Sequence, residues 1–108
     1  MDVLRKIETL LPEFIALRHD LHRHAEVSHH EVRTSEVIAQ KLRSWGIEVH
    51  EHIGGHGVVG ILKNGIGAKS IALRADMDGL PIIEENAFPH ASVNTGAMHA
   101  CGHDGHMA

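Results

Sequence analysis

Three histidines, an aspartate and the protein's single cysteine share the ten residues from 99 to 108, "HACGHDGHMA". Cys101 and His103 are two apart, so in a turn or extended segment a thiolate and an imidazole can face one ion, whereas on a helix they diverge by about 200°. Gly102 and Gly105 supply the backbone freedom that such a close approach requires. If the stretch is helical, His99, His103 and His106 share a face instead. Both arrangements point to a metal ion, but they name different ligands. A zinc site takes three or four protein ligands, so Cys-x-His supplies only part of one. An inert cysteine, or a cysteine nucleophile activated by His103 or His99, would use the same residues without a metal.

Upstream, the stretch "SIALRADMD" alternates, with Ile71, Leu73, Ala75 and Met77 on one face and Arg74, Asp76 and Asp78 on the other. Two carboxylates therefore share a side at the C-terminal end of an apolar strand, where α/β sheets place ligand groups. The plainer reading is an Arg74–Asp76 ion pair at a strand end. "GGHGVVG" at 54–60 leads into a strand pattern and not a helix, so the nucleotide fingerprint is absent.

These residues need elements to carry them. Val3, Leu4, Ile7, Leu10, Leu11, Phe14, Ile15, Leu17 and Leu21 recur at helical steps and predict a helix over 3–21, which Pro12 kinks or divides. A second helix is predicted from Glu31 to Trp45, with Val32, Val37, Ile38, Leu42 and Trp45 inward and Gly46 ending it. The period then becomes two: "IEVHEHI" reads as a strand, "GG" as a turn, "HGVVGILK" as a second strand, "NGIG" as a turn and "KSIALRADM" as a third strand. Residues 82–97 keep no period and read as a long loop, and a helix is expected to begin near Met98. The expected fold class is α/β: two helices followed by three strands of a mixed sheet, in one domain.

Composition narrows the function classes. The 108 residues are 43% apolar, with only Trp45, Phe14 and Phe88 as aromatics, which suits a small aliphatic core. A formal charge of -4, spread along the chain, offers no basic patch for a phosphate backbone, so no nucleic-acid partner is expected. The start of the chain has charges among its apolar residues and provides neither a signal-peptide core nor a membrane span. One cysteine makes no internal disulfide, and the cytoplasm is the expected compartment.

Four blocks, "DLHRHAE" at 20–26, "GGHGVVG" at 54–60, "ALRADMDGLPIIEE" at 72–85 and "GAMHACGHDGH" at 96–106, occur together in this order. In order and spacing they resemble the N-terminal part of the metal-dependent N-acyl-amino-acid amidohydrolases, a family that includes hippurate hydrolase, bacterial aminoacylases and plant auxin-conjugate hydrolases. The resemblance covers nearly the whole chain and is weakest before Arg18. It implies an incomplete N-terminal part of a metallohydrolase catalytic domain. The implied reaction cleaves the amide of a small-molecule N-acyl amino acid, with water activated by two divalent ions. Cys101 and His103 match the family's metal ligands. Asp78 matches its active-site aspartate, expected to hold a ligand or the metal-bound water in place, with Asp76 as a neighbour. Thiolate and imidazole favour zinc, while oxygen-rich partners would favour manganese.

Ala25 stands where the family usually has proline, Gly79 where alanine is common and Met107 where threonine is usual. None removes a proposed ligand. The resemblance further implies that relatives run several times longer, carry the general-base glutamate and further metal ligands beyond this stretch, and form homo-oligomers through a smaller domain. Neither Glu84 nor Glu85 matches the general-base block, so the 108-residue chain is expected to be inactive alone. The alternative is a shortened, non-catalytic metal-binding or interaction module.

Overall fold

The structure, a computed structural model, describes residues 2–108. The first helix, α1 (Val3–Arg23), starts where the Asp2 side chain accepts a hydrogen bond from the Arg5 amide at 3.3 Å. It continues through Pro12 without a break, so the proline does not divide it. Its apolar face is buried only toward the C-terminal end, where Leu21 is 1% exposed, while Val3, Leu4, Ile7, Leu11 and Ile15 face solvent.

Helix α2 (Val32–Ser44) has no side-chain cap of its own at Glu31. Glu26 supplies one from the preceding turn: its carboxylate accepts from the amides of Arg33 at 3.1 Å and Thr34 at 2.6 Å, and from the Thr34 hydroxyl at 2.7 Å. A cap of this kind contributes about 1 kcal/mol. Along the helix Thr34, Ser35 and Ala39 are buried and Val37, Ile38 and Leu42 are partly buried, whereas Val32, in the first turn, is exposed. Trp45 lies just past the helix end and is half-exposed, with its ring 5.8 Å from Phe14. The expected inward positions Val32 and Trp45 are thus corrected to outward ones, whereas Gly46 ends the helix as expected, at φ +74°.

Strands β1 (Glu48–Ile53) and β2 (Gly57–Ile61) form an antiparallel hairpin packed on α2, in the register Glu48↔Ile61, Val49↔Gly60 and His50↔Val59, with an irregularity between His50 and Ile53. The third strand and the mixed sheet do not form among the described residues. Residues 69–77 carry the alternation of a strand, but no other strand lies beside them to complete a hydrogen-bonded ladder, and Ile71 and Leu73 are exposed. The α/β character holds, with the sheet reduced to two strands.

Residues 82–97 are irregular, as expected, and are pinned to the end of α1. The Val93 amide donates to the Arg23 carbonyl at 2.8 Å and the Asn94 side-chain amide to the Ala25 carbonyl at 2.9 Å. The last helix, α3 (His103–Met107), begins five residues later than Met98, because Met98 is engaged in a bridge with Leu80 and Gly102 makes the turn at φ +83°. No helix among the described residues is long and apolar enough to cross a membrane.

Candidate metal centre

Two isolated bridges bring the two halves of the site together. The Gly79 amide donates to the Glu26 carbonyl at 2.7 Å, and Leu80 and Met98 exchange hydrogen bonds of 2.8 and 3.0 Å. Residues 78–80 are therefore threaded between the turn after α1 and the strand-like entry to the "HACGHD" stretch. That threading places Asp78 beside His103.

His103 Nδ1 lies 2.9 Å from the Asp78 carbonyl oxygen and 3.1 Å from Asp78 Oδ1. A carbonyl only accepts, so Nδ1 carries the proton and donates to Asp78. In the neutral ring Nε2 is then the lone-pair nitrogen. It makes no hydrogen bond among the described residues, and Asp76 Oδ2 stands 3.9 Å away. Orientation of one ring nitrogen by a carboxylate or carbonyl, with the other left free, is how proteins prepare a histidine to ligate a metal. Cys101, an exposed free thiol, precedes His103 by one turn residue, the left-handed Gly102. Thiol and free imidazole nitrogen on one turn are a donor pair that suits a divalent ion. They remain a pair: no group of three or more His, Cys, Asp or Glu side chains converges as a cation cage among the described residues.

Asp76 also pairs with Arg74 at 2.6 Å, as the plain ion-pair reading expects. His106 lies one helical turn on, its ring 5.9 Å from that of His103. The alternative in which His99, His103 and His106 share a helix face fails, because His99 precedes α3. His99 is buried instead, and neither of its ring nitrogens has a partner among the described residues. Burial pushes its pKa down, with the Asp104 charge opposing. Cys101 makes no hydrogen bond with His99 or His103 among the described residues, so the geometry offers no base to activate a cysteine nucleophile.

A second polar group lies behind the turn. His22 of α1 sits between two carboxylates, its Nδ1 3.0 Å from Asp104 Oδ2 and its Nε2 3.0 Å from both oxygens of Glu84. Both carboxylate side chains are 2% exposed. Burial opposes a charge on His22, but the hydrogen bonds and charges of Glu84 and Asp104 outweigh it and raise the pKa above 6.5. Burial likewise works against both carboxylates, yet His22, helped by the Ser92 amide at Glu84 and by the Gly105 amide and Arg18 at Asp104, holds both below their ordinary values. Alongside, the His90 ring is stacked between His19 at 3.8 Å and Phe88 at 4.0 Å.

Of the residues predicted from sequence, the structure brings together Asp76, Asp78 and His103, with Cys101 on the adjoining turn. Sequence reasoning quoted His22, Glu84 and Asp104 inside matching blocks but gave them no role. Only the co-occurrence of "DLHRH", "IIEE" and "GHD" hinted that they meet, since His22 and Asp104 are 82 residues apart.

Residues 72–108 match the model of Peptidase family M20/M25/M40. Over 98% of its length the chain is 47% identical to hippurate hydrolase of Campylobacter jejuni, of which it spans 28%. Over 99% of its length it is 40% identical to N-acyl-L-amino acid amidohydrolase of Geobacillus stearothermophilus, spanning 29% of that protein. In structure it is similar to the Bacillus subtilis YXEP protein, a dinuclear metal-binding peptidase of the M20 family, with a TM-score of 0.86 and 40% identity, covering 93% of this chain and 28% of that one. The chain thus spans somewhat over a quarter of the length of the relatives it matches. The likeness to hippurate hydrolase and N-acyl-L-amino acid amidohydrolase in sequence, and to the M20 peptidase in fold, extends over nearly the whole chain.

Proposed function

We infer that this relative of the M20 metallohydrolases carries one part of a divalent-metal site for hydrolysing the amide bond of N-acyl amino acids, with Cys101 and His103 as metal ligands and Asp78 as the residue that orients His103. The observation that carries this is the His103–Asp78 contact, which fixes the proton on Nδ1 and leaves Nε2 free beside the thiol turn. Two divalent ions in a complete site, zinc or manganese, would supply the Lewis acidity that polarises the amide carbonyl and lowers the pKa of water. The similarity to hippurate hydrolase and to N-acyl-L-amino acid amidohydrolase favours N-acyl amino acids such as hippurate as substrates.

Within this chain Asp78 holds the ring tautomer, and Asp76 adds negative charge beside Nε2 while paired with Arg74. Neither role moves a proton to or from a substrate. Glu84 does not serve as the general base, because its two oxygens are taken by His22, the Ser92 amide and the Asn86 side chain. The chain by itself is therefore inactive as a hydrolase. A shortened, non-catalytic metal-binding module is the second reading, favoured by the exposure of Cys101.

Zinc at micromolar concentration should protect Cys101 from a thiol reagent, and His103→Ala should remove the protection. Equal reactivity with and without zinc would refute the ligand assignment. Robust hydrolysis of hippurate by the 108-residue chain would refute its dependence on further residues. Hydrolysis that survives chelators but not Cys101→Ser would assign the chemistry to the thiol itself.

A further inference from the structure

The doubly paired His22 lies outside the donor set assigned to the metal, yet it contacts Asp104, the residue next to that set. Cys101 and His103 sit on a turn that is held from the front by the contact of His103 with Asp78. From behind, the turn is held at Asp104, the residue that follows His103, and there the partners are His22 Nδ1 at 3.0 Å and Arg18 Nε at 3.3 Å. Arg18 is more than half exposed, so its grip is screened by water. His22 is buried, and its other nitrogen is held by Glu84, which the Ser92 amide and Asn86 fix in turn. Three stretches distant in sequence, α1, the irregular segment 82–97 and α3, are thereby tied through one ring.

The geometry points to His22 as a positioning residue of the metal centre: as an imidazolium clamped between Glu84 and Asp104, it fixes the start of α3 and so the relative placement of the Cys101 thiol and the His103 ring. The inference rests on the ligand assignment above. The arrangement has a directional logic. A neutral imidazole donates through one nitrogen only, so it would leave one of the two buried carboxylates facing a lone pair; the charged ring satisfies both. Removing the ring leaves Asp104 with an exposed guanidinium as its remaining side-chain partner and frees the turn to shift. A displacement of that kind weakens a bidentate thiol–imidazole site far more than it alters helix content.

The test is cadmium titration of the full 108-residue chain, read by the thiolate-to-cadmium absorption band and by far-ultraviolet circular dichroism, on the native sequence, His22→Gln and Glu84→Gln. Nitrogen-15 spectra of the native chain accompany it. The native chain should show the thiolate band, and His22 should carry protons on both ring nitrogens at neutral pH. His22→Gln should weaken cadmium binding at least about tenfold with the dichroism unchanged, and Glu84→Gln should weaken it in the same direction by a smaller factor. Absence of the thiolate band in the native chain would refute the ligand assignment itself. A native band, with cadmium affinity unchanged in both variants, would overturn the positioning role alone. If His22→Gln fails to fold, unchanged affinity in Glu84→Gln together with a singly protonated His22 ring would overturn it equally.

Discussion

His103 Nδ1 meets Asp78 twice, at the carbonyl oxygen 2.9 Å away and at the carboxylate 3.1 Å away, across 25 residues of sequence. The double contact predicts an asymmetric mutational result. Asp78→Ala removes the carboxylate and leaves the carbonyl, so the ring keeps its tautomer, and zinc affinity should fall by about tenfold, the lower end for loss of an orienting partner. His103→Ala removes the proposed ligand and should abolish competition for zinc against a chromophoric chelator. Equal losses in the two variants would show that the carboxylate itself is a ligand.

The His22 clamp predicts how stability depends on pH. His22 is raised above 6.5, so its contribution is fully present below that value and is lost as pH rises through its folded pKa. Glu84 and Asp104 are lowered from 4.5 and 3.8, so their contributions are fully present above those values and are lost as pH falls through the folded pKa values. The clamp's own contribution to stability should therefore be largest between about pH 4.5 and 6.5, while the lowered His99 and His90 draw stability down as pH falls below 6.5, so the clamp is read from the difference between the native and His22→Ala profiles. His22→Ala should cost on the order of 3 kcal/mol and flatten the profile, as checked by thermal melts across pH.

Stacking of His19 on His90 makes a prediction of its own. Burial first, and then the proximity of His19, lowers the pKa of His90. His19→Ala should raise the His90 titration midpoint in nuclear magnetic resonance spectra, by uncovering the ring and removing the competing charge. A midpoint that stays or falls would contradict this.

Much of this was legible in the sequence, and the failures have physical causes. The helices, the hairpin and the irregular segment follow from periodicity and glycine placement, which are local properties. The turn that carries Cys101 and His103 follows from its glycine. The predicted strand over 69–77 does not form, because alternation describes what a strand needs and cannot provide the neighbouring strand. Val32 and Trp45 have the spacing of the inward face of α2 but lie at its two ends, where they stay exposed. His22 with Asp104 was not foreseen because tertiary pairing of polar groups leaves no period.

The outward apolar face of α1, with Val3, Leu4, Ile7, Leu11 and Ile15, predicts concentration-dependent self-association of the isolated chain. Ile7→Lys with Leu11→Lys should shift sedimentation toward the monomer and leave helix content unchanged, since both positions face solvent. A native chain that sediments as a monomer at all concentrations would contradict it.

The most direct measurement of the central claim is X-ray absorption at the zinc edge on the chain loaded with one equivalent of zinc. One sulfur at about 2.3 Å and at least one imidazole nitrogen at about 2.0–2.1 Å are predicted, with the sulfur lost in Cys101→Ser and an imidazole nitrogen lost in His103→Ala. A shell of oxygen and nitrogen with no sulfur would contradict the assignment of Cys101 and His103 to one ion.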